Sequence, residues 1–422
     1  MLKKISVLFF ACIISAACSI SVAQVMKIAV VSDIHFLSPS LMDDGVAIQN
    51  YEKNSGKNIR DTPAVLDEVI NSLEQQSPEI LLISGDLTKD GEKQSHLDLK
   101  KRLDVLKNKG VRIFVTPGNH DINVPHPLSY SGEQTVPVAN VSADDFVHIY
   151  NDFGFEQAFS RDKSSLSYVV ALDDKTWLLC IDSNRYPEYI TGTISAGRIL
   201  PETESWAIAL LQQAKEKNIS VLGMMHHGLV EHFPYQSMFF SDYLIDDWQR
   251  LAREFADNGM KVVFTGHFHA NDITAYNSST GNTLYDVETG SLSSFPFPYR
   301  NISWNGVDMD ITTHRINSIP GKPDMAVRDS ISKYEYAAAA AKQRIKRKIP
   351  FLPGSTADGI AQLIGKIYVM HVRGDEVMDE DMRKKVQKFA GLLDNGDSEI
   401  DPSDIQLDFP PADNNVRLSF PK

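Results

Sequence analysis

Five short stretches carry side chains that could do chemistry together: Asp33-Ile34-His35, Gly85-Asp86, Gly118-Asn119-His120-Asp121, His226-His227 and Gly266-His267-Phe268-His269. Each alone is weak, because a single Asp or His is more often a turn, a helix cap or a satisfied core group. Jointly they offer carboxylate, imidazole and amide oxygen, the mixture that hard-to-borderline divalent metals take. A thiolate-loving ion would call for cysteine, and none stands near these stretches. In His267-x-His269 one residue spaces two imidazoles, so the pair can serve two ions.

The elements around these stretches bring them to one edge. Residues 27–31, 79–84 and 111–116 are apolar, β-prone runs, and each ends on one of the polar tips. Between them lie two helical patterns. Over 61–77, Thr62 stands as N-cap and Pro63 at the first turn, with Val65, Leu66, Val69, Ile70 and Leu73 on one face; the other runs through Leu97, Leu103 and Leu106 and stops at Gly110. Strand–helix repetition at this spacing implies a parallel sheet with right-handed crossovers, and ligands gather at the carboxyl ends of such strands. Asp33, Asp86 and Asn119 should therefore be neighbours.

The second half reads differently. Residues 167–182 form a hairpin about Asp173-Asp174-Lys175, a helix follows around 206–213, then strands at 221–225 and 261–265 and a hairpin over 272–290. From about residue 318 prolines mark a linker, 331–348 is helical by its Ala run, and the acidic tail from Asp397 reads as coil.

The ordered set D-x-H, G-D, G-N-H-D, H and G-H-x-H resembles the calcineurin-like metallophosphoesterases, nearest to their class III cyclic-nucleotide and glycerophosphodiester phosphodiesterase branch, over residues 26 to about 315. The fold expected is α/β: a four-layer α-β-β-α sandwich of two mixed sheets with outer helices, plus a small, mainly helical C-terminal segment. The divisions expected are 1–23, 24–317 for the phosphoesterase domain and 318–422 for an accessory segment. By resemblance, Asp33, His35 and His269 hold one divalent ion, Asn119, His226 and His267 a second, and Asp86 bridges them. His226 is taken as the ligand in preference to His227. His120 is expected to face the phosphoryl group, and Asp121 either to orient a His or to cap a turn.

The chemistry implied is hydrolysis of a phosphodiester or phosphomonoester by a metal-bridging hydroxide, with Mn, Fe and Zn all compatible with this ligand set. Lys89 stands where purple acid phosphatases have their iron-binding Tyr, so an iron(III)-tyrosinate centre is not expected. A nucleotidase or exonuclease on the same site, and a non-catalytic metal-bound binding protein, are the competing readings. The long inserts 36–60 and 124–145 should shape the pocket, with Arg60, Asn123 and Tyr235 as substrate-holding candidates; 229–248 reads as core before lid.

Composition bounds these readings. An apolar content of 42% marks a core-forming protein, and a formal charge of −13 excludes a general binder of long nucleic acid. Lys3-Lys4, the apolar run 5–14 and the small residues to Ala23 form a secretory leader, so the expectation is a periplasmic or extracellular protein with a small phosphoester substrate. Cys18 after Ala16-Ala17 resembles a lipoprotein box and is a candidate lipid anchor to a bacterial membrane, although Ser15 replaces the usual aliphatic residue. Cys180 lies in an apolar run and is expected buried and unpaired.

Overall fold

The computed structural model describes residues 25–234, 236–348, 350–393 and 407–420. Residues 1–24, which include the expected leader and Cys18, and Tyr235 lie outside the described residues. The first half alternates as its apolar runs require: β1 (Met26–Val31), α1 (Val46–Ser55), α2 (Thr62–Gln76), β2 (Ile80–Ser84), α3 (Lys93–Asn108) and β3 (Arg112–Thr116). β1, β2 and β3 pair in parallel, Ile28 opposite Ile80 and Ile80 opposite Arg112. α2 has Pro63 in its first turn and buries the predicted face, Val65, Leu66, Val69, Ile70 and Leu73. Neither insert is plain loop. The first contains α1, and the second the ribbon β4 (Leu128–Ser131) and β5 (Gln134–Pro137), followed by α4 (Ala143–Ile149).

The second sheet is built from β6 (Ser160–Arg161), β7 (Tyr168–Ala171), β8 (Thr176–Cys180), β9 (Ser220–Met224), β10 (Met260–Thr265), β11 (Asp272–Asn277) and β12 (Thr283–Glu288). Three helices interrupt it: α5 (Pro201–Glu216), α6 (Gln236–Phe239) and α7 (Trp248–Asp257). The chain then returns through β13 (Pro298–Trp304) and β14 (Asp308–Arg315) to the first sheet, where β13 pairs antiparallel with β1. The spatial orders are β14-β13-β1-β2-β3 and β11-β12-β10-β9-β8-β7-β6.

Side-chain alternation divides the layers. In β8, Leu178 and Cys180 enter the core between the sheets, while Trp177 and Leu179 face outward to Leu211 of α5 and Phe255 of α7. Cys180 is buried and free. Hydrogen bonds also cross between the sheets, among them Tyr168 Oη donating to the Val115 carbonyl at 2.8 Å and Trp304 Nε1 to Thr176 Oγ1 at 3.1 Å. The result is the expected four-layer sandwich.

The C-terminal segment is α8 (Met325–Lys348), α9 (Gly354–Arg373), α10 (Glu380–Leu393) and β15 (Asn415–Ser419). The tail differs from its reading as coil, because β15 pairs antiparallel with β14 and extends the first sheet by one strand. Among the described residues no helix is long and apolar enough to cross a membrane.

Arg300 on β13 locks these parts together. Wholly buried, it donates to the carbonyls of Glu288 on β12 at 2.6 Å and Asp413 beside β15 at 2.5 Å, and to Thr313 Oγ1 on β14 at 2.9 Å. Arg300→Met would strand those acceptors in the core, where each unsatisfied group costs ~1–3 kcal/mol. The expected loss is about 3 kcal/mol, measured by urea unfolding; a change under about 1 kcal/mol would show that the contacts can be replaced.

Candidate metal centre

Strand geometry puts all five polar stretches at one edge, and their backbones bend to do it. Asp33, His35, Asp86, His267 and His269 all have positive φ, between 47° and 73°. Asp and His tolerate this left-handed region better than most residues, yet each still costs on the order of 1 kcal/mol. Two glycines are required here for close approach. A Cβ on Gly118 would lie 2.1 Å from Asp86 N, and one on Gly266 only 1.9 Å from Ser32 Oγ. Gly118 thus lets the loop pass against Asp86.

The side chains fall into two groups that share one residue. In the first, Asp33 Oδ1 lies 3.2 Å from His269 Nε2, His35 Nε2 is 3.1 Å from His269 Nε2, and Asp86 Oδ2 is 3.5 Å from His35 Nε2. In the second, Asp86 Oδ2 is 3.5 Å from His226 Nε2, which is 3.1 Å from both His267 Nδ1 and Asn119 Oδ1. All seven are placed together, and Asp86 stands in both groups.

These groups fit metal ions on the chemistry of their donors. Asp33 is wholly buried, and its Oδ1 has no hydrogen-bond partner, while Oδ2 is fixed by Ser32 Oγ at 2.6 Å and the His267 N–H at 2.9 Å. His226 Nδ1 donates to the Ser84 carbonyl at 2.9 Å and His267 Nε2 to that of Asp242 at 3.2 Å, so the opposite nitrogen of each ring faces the cluster. Burial pushes His35, His267 and His269 down, His267 to about 3, so they stay neutral with a lone pair to give. Burial lowers His226 too, but the Asp86 carboxylate beside it prevails and brings it up to about 9. A cation arriving there displaces a proton. His227 is engaged differently, with Ser183 Oγ at 2.8 Å and the Ser195 carbonyl at 3.0 Å taking its two nitrogens.

His120 belongs to neither group. Its N–H donates to Asp86 Oδ1 at 2.8 Å, and its ring, 22% exposed, meets the His35 ring edge-on at 5.1 Å. The carboxylate that orients it is Asp90, whose Oδ1 lies 2.7 Å from His120 Nδ1. Of the two roles open to Asp121, orienting a His or capping a turn, its hydrogen bonds serve the second. The Asp121 carboxylate is wholly buried and accepts the N–H groups of Gly118, Leu87 and Thr88 at 2.7, 3.1 and 2.9 Å, which is the turn-capping alternative. Burial and the neighbouring Asp86 charge raise it to about 7.

Asp90 is in turn paired with buried Lys89, which lies 4.2 Å above the Tyr51 ring of α1 and 5.1 Å from the Tyr130 ring of β4. Burial raises Asp90, but Lys89 and His120 hold it well below the usual carboxylate range, so it stays ionised. Both inserts therefore brace the residue that holds His120.

Beside this centre a groove of ≈ 980 Å³ runs between α1 and α8. It reaches the centre at Lys57, whose Nζ is 3.3 Å from His35 Nδ1, and its wall includes Lys333 of α8. Lys333 is 3% exposed and donates to Ser294 Oγ at 2.9 Å; burial lowers it to about 8. Of the substrate-holding candidates, Arg60 lines the groove with its guanidinium held by Glu52 at 2.8 and 3.0 Å, and Asn123 is exposed. In the stretch 229–248, Leu229, Val230, Leu244 and Ile245 are core, while the Tyr243 ring lies 5.0 Å from that of His267 at a tilt of 43°.

The model of the calcineurin-like phosphoesterases matches residues 26–271, more than half of the sequence. The chain belongs to the calcineurin-like phosphoesterase family. As a member it is a metal-dependent phosphoester hydrolase; the family implies a dimetal centre, and the two groups described above are the candidates to hold it. No curated protein sequence matches it.

Among solved structures, a dimetal phosphatase from Danio rerio is similar at 11% identity and a TM-score of 0.46, over 69% of this chain and 96% of that one. A phosphopantetheinyl hydrolase from Mycobacterium tuberculosis is similar at 11% identity and 0.32, over 64% and 91%. The Vacuolar Protein Sorting 29 protein of Cryptosporidium parvum is similar at 10% and 0.25, over 69% and 92%. Likenesses this distant carry no argument about what this phosphoesterase acts on.

Proposed function

We propose that this phosphoesterase is an exported enzyme that hydrolyses a small phosphodiester or phosphomonoester. The observation that carries the reading is a buried carboxylate, Asp86, shared by two ligand groups with His120 at their rim. Asp33, His35 and His269 would hold one divalent ion and Asn119, His226 and His267 the other, with Asp86 between. When bound, the pair supplies Lewis acidity to the phosphoryl oxygens and lowers the pKa of a coordinated water. With Nδ1 committed to Asp90, His120 keeps Nε2 for the substrate and gives its proton to the leaving oxygen. Asn119, a neutral ligand, leaves the centre net positive for an anionic substrate. The leader expected over 1–23 supports export, and the negative formal charge argues against long nucleic acid.

Rates on bis-nitrophenyl phosphate and nitrophenyl phosphate, with Mn, Fe or Zn restored to chelator-treated protein, test this directly. Turnover of either supports it, and their ratio separates diester from monoester preference. Failure on both with every metal would overturn it.

The groove supports a substrate whose anionic or polar body extends past Lys57 toward Lys333. Lys333→Met should raise KM about tenfold while kcat stays within about threefold, because a charge-assisted hydrogen bond remote from the reacting atoms contributes to uniform binding. Steady-state kinetics on the best substrate found, with melting temperature as a folding control, is the measurement. An unchanged KM would remove Lys333 from the site.

A further inference from the structure

A second acidic cluster lies where the C-terminal segment meets β11. Asp272 opens that strand, Asp413 lies just ahead of β15, and Asp408 precedes it; one carboxylate oxygen from each lies within 4.8 Å of the others. Asp272 and Asp413 are wholly buried.

Most of their oxygens are accounted for. Asp272 Oδ1 accepts from His232 Nδ1 at 2.7 Å and Thr274 Oγ1 at 3.1 Å. Asp413 accepts the N–H groups of Ile273 at 3.0 Å and Asp375 at 2.5 Å. Two oxygens are left over, Asp272 Oδ2 and Asp408 Oδ1, each buried and with no hydrogen-bond partner. A buried carboxylate oxygen without a donor needs a proton or a cation.

Among the described residues, none of the cationic side chains nearby places a donor within hydrogen-bond distance of either oxygen. Arg300 gives its guanidinium to backbone carbonyls and Thr hydroxyls, and Arg315 binds the Arg373 carbonyl and Asn414 Oδ1. His371 Nδ1 is 2.6 Å from Glu376 and 3.7 Å from Asp272 Oδ2, and His232 is shared with Asp286 and Glu288. Burial and the Asp272 charge raise Asp413 to about 9 and Asp408 to about 7, so the carboxylates are crowded beyond what these cations offset.

We propose that Asp272, Asp408 and Asp413 form a binding site for a hard divalent cation of the calcium class, independent of the catalytic centre, which fastens the C-terminal segment to β11. An all-oxygen set selects a hard ion. Two of its ligands stand in irregular chain beside an open cavity of ≈ 460 Å³ that borders Asp375 and Asp408, which suits an ion of flexible coordination completed by water.

The test uses full-length protein carrying Asp86→Asn to weaken the catalytic centre, stripped with chelator. About 1 mM calcium should raise its melting temperature by roughly 3–6 °C, and calorimetric titration should find one calcium per chain. Adding Asp408→Asn should cut the temperature shift to within about 1 °C. Asp408 is the half-buried member, so its amide isostere is expected to fold; if that variant does not, the calorimetric stoichiometry still decides. No shift and no titration heat would mean that the oxygens hold protons, and the proposal fails. It fails equally if Asp408→Asn leaves the shift unchanged, or if magnesium stabilises and calcium does not.

Discussion

Asp86→Asn should leave the protein folded and nearly without turnover, with its metal content reduced from two ions to well under one per chain. Asn is the clean replacement because Asp86 sits at φ 48°, which an amide tolerates, and an amide oxygen can still accept the His120 N–H. The charge is lost, and an NH2 group replaces Oδ2, the oxygen that faces both His35 and His226. Removing a hydrogen-bond partner outside a ligand sphere commonly costs 10–100-fold in metal affinity, so a ligand shared by two sites should cost more than about 100-fold. Elemental analysis after gel filtration and rates in metal-free buffer read both effects. Two ions retained with activity within about tenfold would refute Asp86 as the shared ligand.

His120→Ala should act in the opposite way on metal content. Because His120 lies outside both ligand groups, the ions should stay while kcat falls by about 10²–10⁴, the range for loss of a general acid. The leaving group makes this specific. Nitrophenolate departs with little help from a proton, whereas an alkoxide needs one, so the loss should be markedly larger on an alkyl ester than on a nitrophenyl ester. A structural role for the ring would reduce both equally. Asp90→Asn, which keeps the shape and removes the charge, should reproduce a weakened form of the same pattern, about tenfold in kcat. Equal losses on the two esters would refute proton donation.

Much of the first sheet could be read from the sequence, because β1, β2 and β3 are uninterrupted apolar runs separated by helices with one clear apolar face. The ligand set could be read for a related reason: each member stands at the end of such a run, where the next residue must leave the sheet. What escaped depends on contacts between distant segments. α1 buries only Ile48, so its ten residues show no periodicity to detect. Asp90 follows Lys89 and precedes Gly91 in what looks like a turn, and only the folded chain brings His120 to it. Lys333 reads as the solvated face of an Ala-rich helix until α8 is seen to line the groove. β15 has a mostly exposed pattern of five residues, and its strand state comes from β14, which supplies the free edge.

The place of β1 has a consequence for how the molecule is made. β1 is the first strand among the described residues and lies between β2 and β13, with Val30 paired to Arg300. Closing a loop of that length early is entropically unfavourable, and contacts of such long range slow folding. While the chain is being synthesised, β1 and β2 can pair, but one edge of β1 stays open until β13 has emerged. Asp33 and His269, which meet across the first ligand group, are separated in the same way. Neither ion pocket can be complete on a half-made chain, so metal capture belongs to the last stage of folding, and until then the open edge of β1 is an unpaired strand edge of the kind prone to aggregation.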